Sequence, residues 1–157
     1  DLIVGAYPQN LCSEVGDFII RRRDRLFSYQ LAVAVDDQFQ HISHIIRGSD
    51  LLDSTPRQLY LQGCLGASAE QTAAMQYGHL PLAVNGEGQK LSKQNHAPAL
   101  IPGEESSNLW LALEWLQQAP PVELRSENSA TILSWAISNW ALAKIPSCAE
   151  IPAPNSV

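Results

Sequence analysis

Through residue 84 short β-branched or apolar runs alternate with longer stretches of helical period, and beyond residue 100 only helical stretches follow. Asp17-Phe18-Ile19-Ile20-Arg21 predicts a strand leaving a core. Leu26 to Phe39 is dense in apolar residues and predicts a largely buried helix. His41 to Ile46 predicts a second strand, closed by Arg47-Gly48-Ser49-Asp50. Ser54-Thr55-Pro56 is a helix start, because a hydroxyl satisfies free amides and proline at the first helical position sacrifices no hydrogen bond. That helix is expected to run to Cys64 and stop near Gly66, with a second helical piece over Ala67–Met75. His79-Leu80-Pro81-Leu82-Ala83-Val84 predicts an apolar strand that Pro81 places at an edge or a start. Asn85-Gly86-Glu87-Gly88 is a strong tight-turn signal. Ser106 or Ser107 opens a helix through Trp110 and Leu116, and Ser126 opens another through Ile132 and Trp140. After Ser147 the composition predicts a frayed tail. This layout is that of half an α/β sheet leading into a small helical appendage.

Composition narrows the function classes. The chain has 157 residues, 45% hydrophobic and 17% charged, which suits one domain with a real core. No apolar run approaches the roughly 20 residues needed to cross a bilayer, so no membrane partner is expected. Asp1-Leu2-Ile3-Val4-Gly5 lacks a secretory n-region and h-region, and the chain opens inside ordered sequence, as a piece of something longer would. A net charge of −6 argues against indiscriminate nucleic-acid binding. It leaves room for a local basic surface at Arg21, Arg22, Arg23 and Arg25, read first as a solvated strand end and second as an RNA contact. Cys12, Cys64 and Cys148 are odd in number and far apart, so reduced thiols in a cytoplasmic protein are expected and no metal is assigned.

Three groups of residues are candidates for chemistry. Lys90-Leu91-Ser92-Lys93 sets two ammonium groups around a hydroxyl just after the turn. Mobile cations of this kind stabilise a departing pyrophosphate when they meet its charge only in the transition state. An exposed hairpin arm explains the same residues equally well. Tyr29 and Arg47 form the second group. Arginine offers a fork for a carboxylate, tyrosine a hydroxyl for a second polar group, and Arg47 stands at a strand end where α/β sheets place ligands. The plainer reading pairs Arg47 with Asp50 or Asp53 and leaves Tyr29 packing. Asp36-Asp37 is the third group, but adjacent helical positions diverge by about 100°, which favours a polar helix end over a shared magnesium site.

Taken in order, Gly16-Asp17-Phe18-Ile19-Ile20-Arg21-Arg22-Arg23-Asp24, Tyr29 to Asp37, Ile46-Arg47-Gly48-Ser49-Asp50-Leu51-Leu52, His79-Leu80-Pro81-Leu82 and Lys90 to Ala97 closely resemble the glutamyl-queuosine tRNA(Asp) synthetases. These are truncated relatives of glutamyl-tRNA synthetase with a class I Rossmann catalytic domain, and the resemblance covers roughly residues 1–145. It implies the second half of that catalytic domain over residues 1–100, a small α-helical extension over 101–146 and a flexible tail over 147–157. Lys90-Leu91-Ser92-Lys93-Gln94 stands where the family has its KMSKS-type loop, with Lys93 the expected ATP contact and Lys90 and Ser92 beside it. Tyr29 and Arg47 align with the tyrosine and arginine of the glutamate pocket. The implied reaction activates glutamate with ATP and magnesium, then passes the glutamyl group to queuosine in the tRNA(Asp) anticodon.

The resemblance also implies absences. The family's His-Ile-Gly-His-type nucleotide motif and its zinc cluster belong to an N-terminal half not found in these residues, so zinc is expected only there. Half a catalytic constellation loses positioning, and the isolated chain is expected to have little synthetase activity. Two alternatives accompany this reading: a fragment of full glutamyl-tRNA synthetase, disfavoured by the short stretch after Lys93, and a non-catalytic RNA- or protein-binding module.

Overall fold

The computed structural model describes residues 1–92, 97 and 99–154. Lys93 and Gln94 of the expected ATP loop lie outside the described residues. The chain forms two compact units, Asp1–His79 and Leu80–Val157.

In the first unit the strand expected at residues 17–21 reduces to one antiparallel bridge, Arg21 to Phe27. A tight turn joins its arms, with the Arg22 amide donating to the Leu26 carbonyl at 2.8 Å and Arg25 at φ +70°. Ile19 and Ile20 are β-branched but exposed. Strand propensity is expressed only against a neighbouring strand, and among the described residues none flanks them. Ser28 caps helix α1, Tyr29–Phe39, accepting a hydrogen bond from the Leu31 amide. Only Ala34 of this helix is buried, and Phe39 is 82% exposed, so the expectation of a largely buried helix fails. The dense apolar pattern covers two faces, and among the described residues the main packing of this helix is against the helix over Ser54–Cys64.

Strand β1, His44–Gly48, follows a turn in which His41 takes φ +54°. That turn shifts the strand later than predicted. Helix α2, Ser54–Cys64, has the expected length but a different start. Asp53 precedes it without a side-chain cap, and Pro56 is its third residue, still inside the first turn where a missing amide costs nothing. Its buried positions are Ser54, Gln58, Leu61 and Gln62, spaced four, three and one apart along one face. That inward face is mainly polar. Helix α3, Ala69–Ala74, begins with a reciprocal capping box between Ser68 and Gln71. Strand β2, Gln76–Leu80, pairs with β1 in a two-stranded sheet.

Pro81 divides the single strand expected over residues 79–84, since it has no amide to donate to a ladder. Strand β3, Leu82–Val84, opens the second unit and leads into the predicted turn. There the Gly88 amide donates to the Asn85 carbonyl at 3.0 Å, and Val84 bridges antiparallel to Lys90. Helices α4, Glu105–Trp115, and α5, Ser129–Asn139, pack on each other around Trp110, Leu111, Leu113, Ile132 and Ala136. Neither is capped by the predicted serine. Helix α4 follows Glu104 without a side-chain cap, and Asn128 caps α5. Ser126 instead ends a short 3-10 turn, Val122–Ser126. The core reading of the tryptophans holds for Trp110, whose indole amine donates to the Pro121 carbonyl at 3.0 Å, whereas Trp140 is 44% exposed. The frayed tail is overturned over Glu150–Pro152. This strand, β4, runs parallel to β3 in the register Leu82–Glu150, Ala83–Ile151, Val84–Pro152. The proline-rich composition hid it because its pairing partner lies far away in sequence.

Candidate active site

At the end of β1 the Arg47 side chain is half-buried and held on three sides. Its Nε–H donates to His79 Nε2 at 3.0 Å, Nη1 to Gln58 Oε1 at 2.8 Å, and Nη2 to Thr55 Oγ1 at 2.7 Å. The guanidinium carbon also lies 5.5 Å from the centre of the Tyr77 ring, a cation–π distance. Neither predicted alternative, Asp50 or Asp53, supplies these bonds. The Asp53 carboxylate accepts from the Tyr7 hydroxyl, and its carbonyl accepts from Arg57.

The supporting residues come from three elements. Thr55 and Gln58 are three apart on α2, so both reach toward β1 from one helical face. His79 and Tyr77 alternate with Gly78 along β2 and project to one side of the strand, their rings stacked with centres 6.4 Å apart. His79 is fully buried. Its Nδ1 lies 2.6 Å from Asp1 Oδ2. Since Nε2 accepts from Arg47, the ring's proton belongs on Nδ1, donated to the Asp1 carboxylate. Burial and the Arg47 charge push His79 down to about 4, so the ring is neutral. Burial likewise pushes the Tyr77 phenol up to about 12, with Arg47 opposing and Asp37 adding to the rise. Asp37 on α1 is raised by burial, against the pull of Arg47.

Tyr29 is the first residue of α1 and is half-exposed. Among the described residues no hydrogen bond joins it to Arg47. The next residue makes the link: Gln30 Nε2 donates to Ser54 Oγ at 2.9 Å, tying the start of α1 to the start of α2. The predicted capping hydroxyls are therefore spent on tertiary contacts, Ser54 on Gln30 and Thr55 on Arg47. Both helices bring N-terminal amides, which favour an anion, to the same end of the unit.

Lys90 and Ser92 belong to the second unit. Lys90 sits on the arm bridged to Val84, and the Leu91 amide donates to the Ala83 carbonyl at 2.9 Å. Ser92 carries the carbonyl that accepts from Ala97 at 3.1 Å. Among the described residues no group of three His, Cys, Asp or Glu side chains is placed to hold a metal ion. Likewise, no helix among them is long and apolar enough to cross a membrane. Sequence reasoning missed Asp1, Thr55, Gln58 and His79 as parts of this site. The available signal was the polar face of α2, visible as Ser54, Gln58 and Gln62 recurring at helical spacing.

Residues 3–101 match the family described as tRNA synthetases class I (E and Q), catalytic domain. The chain belongs to this family. Similar proteins within it are named glutamyl-Q tRNA(Asp) synthetase. One from Thiobacillus denitrificans is 48% identical over 154 residues, covering 98% of this chain and 50% of that protein. One from Pseudomonas aeruginosa is 46% identical over 152 residues, covering 97% and 50%, and one from Neisseria meningitidis is 45% identical over 152 residues, covering 97% and 49%. The chain thus spans about half the length of the curated relatives it matches. As part of a class I synthetase catalytic domain it combines helices and strands.

Proposed function

We propose that the protein activates glutamate with ATP, forming glutamyl-adenylate, and transfers the glutamyl group to queuosine in the anticodon of tRNA(Asp). This chain contributes the second half of a Rossmann catalytic domain and a helical extension. Apolar side chains left exposed at Ile19, Ile20, Leu26, Phe27 and Ile46 support the half-domain reading, because a covering half would bury them. The names of the relatives support the substrate assignment.

The observation that carries the glutamate site is Arg47. Three bonds occupy one N–H each on Nε, Nη1 and Nη2, and each terminal nitrogen carries a second N–H. A guanidinium already held in one plane is prepared for two-point contact with a carboxylate. Tyr29, at the amino end of α1, supplies a hydroxyl for a second polar group of the amino acid. The glutamate carboxylate oxygen attacks the α-phosphorus of ATP, and the bond to pyrophosphate breaks. Lys90, Ser92 and Lys93 meet the charge that grows on the departing pyrophosphate. Magnesium bound with ATP would lower the charge that Lys90, Ser92 and Lys93 must neutralise.

ATP–pyrophosphate exchange in the full-length protein tests both roles. Arg47→Ala is expected to raise the KM for glutamate by about 10–100-fold, the value of a charge-assisted contact. Lys93→Ala is expected to lower kcat with little change in the glutamate KM. Unchanged glutamate affinity in the first variant, or unchanged turnover in the second, rejects the corresponding role.

A further inference from the structure

We propose that Asp1 and His79 are positioning residues that set the plane of the Arg47 guanidinium before glutamate arrives. The proposal rests on the reading of Arg47 as the glutamate carboxylate contact. It goes beyond that reading in assigning a role to two residues that touch no substrate.

The argument starts from the freedom of an arginine. Its long side chain samples many rotamers, so a guanidinium that must face a carboxylate squarely gains from being fixed in advance. The two bonds from α2 hold the terminal nitrogens. The Nε bond to His79 holds the other end of the same plane, and these three bonds together leave the group no free rotation.

An imidazole can accept that bond in only one state. It must be neutral and carry its proton on Nδ1. Asp1 imposes this tautomer by accepting the Nδ1–H through Oδ2. Asp1 is itself pinned. Its Oδ1 accepts the backbone amides of Ile3 at 3.0 Å, Val4 at 2.9 Å and His79 at 3.3 Å. Carboxylate, imidazole and guanidinium form one hydrogen-bonded row, negative, neutral and positive in turn. The fully buried ring, with both nitrogens engaged, is closed to substrate and has no free lone pair for proton transfer. It therefore acts through Arg47.

Glutamate-dependent ATP–pyrophosphate exchange in the full-length protein, with variants matched in chemistry, tests this. In Asp1→Asn the amide cannot satisfy both its backbone donors and the Nδ1–H. The ring proton is driven to Nε2, donor facing donor at Arg47. His79→Asn is too short to reach Arg47, whereas the terminal oxygen of His79→Gln stands near the place of Nε2. The glutamate KM is expected to rise about tenfold or more in Asp1→Asn and His79→Asn, and to return to within about threefold of wild type in His79→Gln. The ATP KM should stay constant throughout, which confines the effect to glutamate, whereas a loss of folded protein would lower kcat and leave both KM values unchanged. In parallel, the Arg47 Nε–H resonance, assigned by its disappearance in Arg47→Lys, should exchange slowly in the wild-type protein.

Unchanged glutamate KM in both asparagine variants, while Arg47→Ala raises it, overturns the positioning role and leaves the glutamate site standing. An unchanged KM in Arg47→Ala removes the glutamate site, and the positioning role with it. If the asparagine variants do not fold, the wild-type resonance decides, and a rapidly exchanging Nε–H overturns the proposal.

Discussion

Replacing Gln58 by methionine should leave the stability of the first unit almost untouched, although it deletes a contact to a charged group. Gln58 is fully buried, and its Oε1 accepts from Arg47 Nη1 at 2.8 Å. Losing a hydrogen bond to a charged partner costs about 1.5–3 kcal/mol. The same side chain buries an Nε2 with no hydrogen-bond partner among the described residues, a liability of about 1–3 kcal/mol that the substitution removes. The thioether fills nearly the same volume, so little cavity cost is added. Arg47 is half-exposed, and water or substrate can satisfy the N–H set free. The two terms cancel to within about 1 kcal/mol, a factor of about five in an opening equilibrium. Fluorescence is the wrong probe, because all four tryptophans lie in the second unit. Hydrogen exchange of the α2 amides reads the correct region. Gln58→Ala is the control: it loses the same bond and leaves a hole, and its α2 protection should fall much further. If Gln58→Met lowers protection by more than about tenfold, or matches the alanine variant, the cancellation is wrong and the Arg47 bond is worth more than its neutral surroundings indicate.

Ile132, fully buried between α4 and α5, should cost about 2–5 kcal/mol when changed to alanine, read by tryptophan fluorescence during urea unfolding. Ser68→Ala breaks the capping box of α3 and should lower its exchange protection by about 1 kcal/mol. Acid should weaken the first unit across a defined window. Burial, then the Arg47 charge, pushes His79 from 6.5 down to about 4 against the weaker upward pull of the Leu51 backbone and Asp50, and the Nε2 lone pair is already occupied by Arg47. Between these values the unfolded chain holds a proton that the native ring does not. Stability therefore falls as pH drops from 6.5 toward 4 and levels below it. In His79→Gln that slope should flatten when unfolding of the first unit is followed against pH, and an unchanged slope would assign it to other groups.

Much of the local structure was legible because its causes act over a few residues. The Asn85–Gly88 turn, the extent of α2 and the placement of Arg47 at a strand end all follow from turn chemistry, helical period and proline sterics. The candidate site was only partly legible. Arg47 and Tyr29 could be named, but the same reasoning put Asp50 or Asp53 ahead of any ligand as partner for the arginine. It also read Ser54 and Thr55 as caps, whereas each is claimed by a residue from another element.

Sequence alone determined which segments turn, coil and stop, since those choices are settled by neighbours within a turn or two of chain. Tertiary structure decided what the polar residues are for. His79 meets Arg47 from 32 positions away and Asp1 from 78, and Glu150–Pro152 becomes a strand only beside Leu82–Val84. A donor has no preferred acceptor until folding brings one within 3 Å or so and removes the competing water, and no periodicity in the chain encodes that meeting.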